Sequence, residues 1–230
     1  MKVSVLMPVY NTNVEYLSQT VDSILEQTFT DFEVVVVDNG STNPETVEFL
    51  GKLKHEKFKV VSCPQKEGDY KNLSVALNFG LQHCEADLIA RIDSDDRMTP
   101  DRLEKQVAFM DANPDVSVLG GQSVHISDGK TPKVLPEFIH EFSYFDDTHL
   151  VNHPSVMFRK QDVIDAGGYL EQPNHIPEDF LLWVTLLRQG RKMRNLSDVI
   201  LEYRDQANGL SDDDSIHENW NKAIASVLYN

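Results

Sequence analysis

Residues 32–38 read Phe-Glu-Val-Val-Val-Val-Asp. In an extended chain successive side chains point to opposite faces, so four consecutive valines make both faces of a strand apolar. Neither face can be left in water, and the chain must cover the strand on both sides, as in parallel sheets clad with helices. The flanking sequence supplies that cladding. Residues 2–7 form a short apolar strand that ends at Pro8. Val14, Leu17, Val21, Ile24 and Leu25 then recur at helical spacing, predicting an amphipathic helix to about residue 27. Pro44 opens a second helix with Val47, Leu50 and Leu53. A third strand over 58–62, a third helix over 72–83, a fourth strand over 87–92 and a fourth helix over 100–113 follow. This alternation predicts a doubly wound, Rossmann-like α/β sheet, mostly parallel and flanked by helices.

In such sheets ligands bind at the carboxyl ends of the strands. Three of those ends carry polar groups: Pro8-Val9-Tyr10-Asn11, Asp38, and the run Asp93-Ser94-Asp95-Asp96. Beyond a strand at 116–119 the regularity breaks. A strand at 155–158, a helix at 178–188 signalled by Pro177 and the acids of its first turn, a strand at 199–203 and an amphipathic helix at 216–228 with Trp220 are expected there. The chain reads as one domain over 1–230. About 1–96 is a nucleotide-type half, and about 97–230 an irregular half that completes the site.

The formal net charge is −16, from 21 basic and 37 acidic residues. Such a field repels polyanions, so nucleic acid is excluded as a partner. An anionic ligand would need a local cation or a metal ion. Cys63 and Cys84 lack metal-ligand spacing and signal no disulfide framework, which suits a reducing, cytoplasmic setting. No run approaches the length of a transmembrane helix, and the N-terminus reads as a strand and not as a signal peptide. A membrane role would be peripheral or carried by a partner.

Taken singly, each polar feature has two readings. Asp93 and Asp95 can hold a hard divalent cation through oxygen, or stand in a solvated turn before a helix N-terminus, where acids are favoured. Asp101 in Thr99-Pro100-Asp101 needs no function beyond that helix start. Asp38 can accept hydrogen bonds from a ligand or close an Asx-turn with Ser41. Tyr10 can stack on a base or be a half-buried aromatic. Glu178 and Asp179 suit a helix dipole. His153 reads as structural, and Arg204 as a cation near phosphates or a surface ion pair. Asp212-Asp213-Asp214 reads as a solvated or capping run.

The order of the features is more specific than any one of them. PVYN at 8–11, QTFTDFEVVVVDNGS at 27–41, N-x-G at 78–80, ARIDSDD at 90–96, HPSVMFR at 153–159, GGY at 167–169 and EDFLLW at 178–183 resemble the family 2 glycosyltransferases. The resemblance covers nearly the whole chain. It implies a glycosyltransferase A fold and transfer of a sugar, with inversion, from a nucleotide diphosphate donor. A UDP-sugar is the expected donor, and a hydroxyl of a saccharide or glycolipid the expected acceptor. By the same resemblance Pro8 and Tyr10 contact the nucleobase, and Asn11 lies with them in the nucleotide site. Asp38 binds base or ribose, Asp93 approaches the ribose and metal region, and Asp95 ligates Mn²⁺ or Mg²⁺. Asp179 is the general base.

The chemistry is consistent with this: a diphosphate leaving group develops charge that a divalent cation stabilises, and a hydroxyl nucleophile needs a base. Two departures stand out. Asp38-Asn39 replaces the two acids of many members, and no histidine follows Tyr203-Arg204 where many members complete the metal shell; Asn208 stands in that stretch and the next histidine is His217. The short length implies transfer of a single sugar, without the extension of processive synthases. A nucleotidyltransferase is disfavoured because PVYN lacks the glycine-rich basic loop. A non-catalytic nucleotide-sugar-binding module is disfavoured because Asp93, Asp95 and Asp179 occur together.

Overall fold

The computed structural model describes residues 1–64, 72–126, 133–134, 151–170 and 178–204. The expected helix at 216–228, Asn208, Asp212-Asp213-Asp214 and His217 lie outside the described residues. Four strands, β1 (Val3–Val9), β2 (Phe32–Asp38), β3 (Phe58–Ser62) and β4 (Leu88–Arg91), alternate with α1 (Val14–Leu25), α2 (Pro44–Lys52) and α3 (Leu73–His83). They pair in parallel in the order β3-β2-β1-β4, with Val3 opposite Phe32 and Leu88 and Val9 opposite Asp38. Asn13, Asn43 and Asn72 cap the three helices, each accepting from the backbone N–H two residues on.

The valine run divides as its period requires. Val34 and Val36 join Val3, Val5, Met7 and Val9 in a core under α1 and the fourth helix, α4 (Arg102–Ala112). Val35 and Val37 join Leu6 in a second core under α3 and α6 (Glu178–Arg188). All four valines are fully buried. Close approach of α3 depends on Gly80: a Cβ there would lie 2.7 Å from Val37 Cγ2 and collide with Leu6.

The same sheet continues into the irregular half through β5 (Arg97–Met98), β6 (Val116–Ile126), β7 (Lys133–Val134), β8 (Met157–Arg159) and β9 (Lys192–Arg204). The full order is β3-β2-β1-β4-β8-β6-β9-β5, with β7 beside β6. Here the pairing is mixed. Strand β8 runs antiparallel to β4 and β6, β5 antiparallel to β9, and β6 and β9 are parallel. Strands β6 and β9 are longer than their apolar patterns predict. Register shifts around Gly120 and Gln122 break the period of two on which that pattern depends. The short helix α5 (Lys160–Asp165) follows β8 and was not expected.

Candidate active site

Strands β1 and β2 end side by side, and their loops are stitched together by Asn11. Its φ of 51° is in the left-handed region, which asparagine tolerates better than most residues. In that pose Asn11 Oδ1 accepts from the N–H groups of Thr42 (2.7 Å) and Asn43 (2.8 Å), and its own N–H donates to Ser41 Oγ. The amide is therefore engaged with the loop after β2. Asp38 Oδ1 accepts from Ser41 N–H at 2.9 Å, the Asx-turn of its simpler reading. Pro8 is buried within β1 opposite Val37, and Tyr10 is half-buried at the strand's end. Thr12 Oγ1 lies 2.6 Å from Ser94 Oγ, linking this pair of loops to the acidic turn after β4.

Asp93 and Asp96 of that turn face different ways. Ile92 N–H donates to Leu6 O, so Asp93 emerges beside the end of β1. Both Asp93 oxygens are held by the buried Arg91, at 2.6 Å and 2.8 Å. Asp96 points inward, 1% exposed, and its Oδ1 accepts from Arg204 N–H at 2.9 Å. Burial first, then Asp93 and Asp95, push its carboxyl well above the ordinary aspartate range. Its Oδ2 is buried with no hydrogen-bond partner among the described residues. Asp95 is partly exposed, and its carbonyl accepts from Arg204 Nε at 3.0 Å. Arg204 is itself 8% exposed, donates to Gln19 Oε1 and lies 4.0 Å over the Tyr16 ring. It braces the acidic turn from behind; it is not a surface ion pair.

Across from this turn stands the start of α6. Glu178 Oε1 is 3.6 Å from His153 Nδ1, and His153 Nε2 is 3.0 Å from Tyr169 Oη. Burial, then the neighbouring Asp179, push the Glu178 carboxyl up to about 7. His153 is buried against Trp183, ring centroids 5.7 Å apart, and burial followed by the Arg91 charge holds its imidazole well below the usual range, hence neutral. Tyr169 is fixed through its backbone, which exchanges two hydrogen bonds with the Asn78 amide at 2.7 Å and 2.9 Å. Gly168, with φ of +74°, admits Asn78 Oδ1 where a Cβ would lie 2.6 Å away. Asp179 Oδ1 accepts the N–H of Phe180.

Electrostatics tie the two sides together. The Glu178 carboxyl responds to Asp179, Arg91 and Asp93, and the Tyr169 hydroxyl to Arg91, Glu178, Asp179 and Asp93. The fold thus gathers Asp93 and Asp179, 86 residues apart in sequence, into one neighbourhood, with Asp95 on the same turn. Pro8, Tyr10, Asn11 and Asp38 line the adjoining strand ends. From the sequence Glu178 suits a helix dipole alone, and Arg91 carries no expectation. A cation within the apolar run LIARI, two residues before Asp93 and so on the same strand face, was the available signal.

Among the described residues no group of three or more His, Cys, Asp or Glu side chains could by itself hold a metal ion. Asp93 is forked to Arg91, and Asp95 is the partly exposed carboxylate of the same turn. Magnesium-like ions are commonly held by one or two carboxylates with substrate phosphates and water completing the shell. The donor set fits a divalent cation in that mode.

The glycosyl transferase family 2 model matches residues 4–166. An uncharacterized glycosyltransferase of Haemophilus influenzae is 36% identical over 220 residues, covering 91% of this chain and 78% of its own. The UDP-Gal:alpha-D-GlcNAc-diphosphoundecaprenol beta-1,3-galactosyltransferase of Escherichia coli is 30% identical over 209 residues, covering 88% and 74%. Among solved structures, S. aureus TarS 1-349 in complex with UDP-GlcNAc superposes with a TM-score of 0.76 at 23% identity. That match covers 100% of this chain and 67% of the other.

Proposed function

The chain belongs to glycosyl transferase family 2 and has the glycosyltransferase A fold, and from that premise we propose that it moves one sugar, with inversion, from a UDP-sugar to a hydroxyl of a saccharide or glycolipid acceptor. The observation that carries this reading is that Asp93, at the end of β4, and Asp179, at the start of α6, are near enough for both charges to act on the Glu178 carboxyl and the Tyr169 hydroxyl. A donor seated on the β1, β2 and β4 ends would present its anomeric carbon toward α6. Residues 1–96 then form the donor half and 97–230 the acceptor and base half of one domain.

Within that reading Tyr10 lies against the face of the nucleobase, Pro8 shapes the strand end beneath it, and Asn11 holds the loop that carries the contact. Asp38 accepts from base or ribose, and Asp93 accepts from ribose hydroxyls. A Mn²⁺ or Mg²⁺ ion held by Asp95 and the donor phosphates would neutralise charge on the leaving diphosphate. Asp179 takes the proton of the attacking hydroxyl on the face opposite that leaving group. One base suffices, because inversion needs no covalent intermediate. The galactosyltransferase relative carries UDP-Gal and a diphosphoundecaprenol-linked sugar in its name, which supports a UDP donor and a lipid-linked acceptor here. No helix among the described residues is long and apolar enough to cross a membrane; a peripheral encounter with such an acceptor is part of the proposed reading. Cys63 and Cys84 are buried and form no disulfide among the described residues, which fits a cytoplasmic setting.

Calorimetric titration of UDP, GDP and dTDP with and without Mn²⁺, on wild type and Asp95→Ala, tests this. UDP is expected to bind with metal, and Asp95→Ala to weaken it at least about tenfold, the equivalent of 1.4 kcal/mol. UDP binding indifferent to both metal and Asp95→Ala would overturn the metal-assisted donor site.

A further inference from the structure

Two arginines, Arg91 and Arg102, are closed off from solvent, at 2% and 0% exposure. They do different things. Arg102 is wholly engaged by scaffold acceptors. Its Nε donates to Gln106 Oε1, Nη1 to Pro154 O, and Nη2 to the carbonyls of Arg91 and Val156, all between 2.7 and 3.2 Å. Among the described residues the Arg91 guanidinium makes no such scaffold contacts. Its two Nη groups grip Asp93, and its buried Nε has no hydrogen-bond partner among those residues. Leaving a buried N–H unpaired is unfavourable, so scaffolding alone does not account for this pose. Asp93 is 31% exposed, and an exposed strand-end carboxylate would otherwise sample several rotamers. Arg91 also acts electrostatically on Tyr169 and Glu178 on the opposite side.

We propose that Arg91 is a positioning residue of the donor site: its buried guanidinium locks the Asp93 carboxylate in one orientation. The proposal rests on reading the β4 end as the donor site. A bidentate fork fixes both position and plane of a carboxylate, and a lysine ammonium cannot reproduce it. Each Asp93 oxygen keeps acceptor capacity beyond the fork, enough to take a donor hydroxyl in a defined direction. Arg91 touches no substrate in this arrangement; it acts through Asp93.

The test is Arg91→Lys, which keeps the charge and loses the fork, assayed with a UDP-sugar alongside Asp93→Asn and the double variant. Arg91→Lys should raise donor KM at least tenfold while kcat stays within threefold, a split that general loss of stability does not produce. In the Asp93→Asn background Arg91→Lys should add less than threefold. A wild-type KM for Arg91→Lys, or losses that multiply in the double variant, would overturn the proposal. Should Arg91→Lys fail to fold, ¹⁵N spectra of the Arg91 guanidinium decide. Asp93→Asn retains the buried cation, and it should release the restricted Nη rotation seen in wild type; unchanged restriction overturns the proposal. If wild type uses no nucleotide sugar, the donor-site reading itself fails. If wild type is active and Arg91→Lys matches it, only the role of Arg91 fails.

Discussion

Glu178→Gln should stabilise this protein at alkaline pH and leave it unchanged in acid. Burial and the adjacent Asp179 raise the Glu178 carboxyl from 4.5 to about 7. Its charged form is thereby disfavoured by about 3 kcal/mol, at 1.36 kcal/mol per pH unit. The side chain retains 22% exposure, so about 2 kcal/mol is the expected share. A folded-state carboxyl with a raised pKa binds its proton more tightly than the unfolded chain does. Its contribution to stability is therefore fully present below about 4.5 and is lost as pH rises through about 7. Glutamine mimics the protonated acid at every pH. Urea denaturation at steps between pH 4 and 8 should give equal stabilities in acid. The variant should gain about 2 kcal/mol by pH 8. Titrating groups that do not touch Glu178, such as Asp96, cancel in the difference between the two proteins. A difference constant with pH, or a variant that loses stability as pH rises, would refute the burial argument.

Gly80→Ala should cost about 1–3 kcal/mol, because its Cβ would press on Val37 and Leu6 between α3 and the sheet; a lower urea midpoint with unchanged slope is the readout. Burial, then the Glu33 charge, push the Cys84 thiol up to about 12, leaving about one thiolate in 10⁴ at pH 8. Cys84 should therefore resist a thiol reagent in the native chain and react once urea unfolds it; prompt native-state labelling would refute its burial.

Much of the architecture follows from local pattern. A run of four valines cannot be satisfied by one covered face, so residues 32–38 demanded helices on both sides, and the alternating helix signals supplied them in order. The same alternation puts Asp38 and Asp93 at strand ends, because a parallel strand stops where its apolar run stops. Asn11, Asn13, Asn43 and Asn72 mark turns and helix starts through side-chain chemistry that acts over a few residues. The mixed half was less legible. Strands β6 and β9 pair through register shifts that erase the alternation on which strand reading depends. What α6 brings to the site could not be read locally either. Glu178 looks like an ordinary first-turn acid, and His153 like an ordinary core residue, until the sheet packs one against the other. Sequence alone thus determined which residues end the strands of the doubly wound half, since that depends on neighbours a few positions away. Only the tertiary structure decided that Arg91 holds Asp93, that Asp96 turns inward to Arg204, and that Glu178 shares its charge environment with Asp93. Burial and long-range pairing set those relations, and no local pattern encodes the distance between residues 86 positions apart.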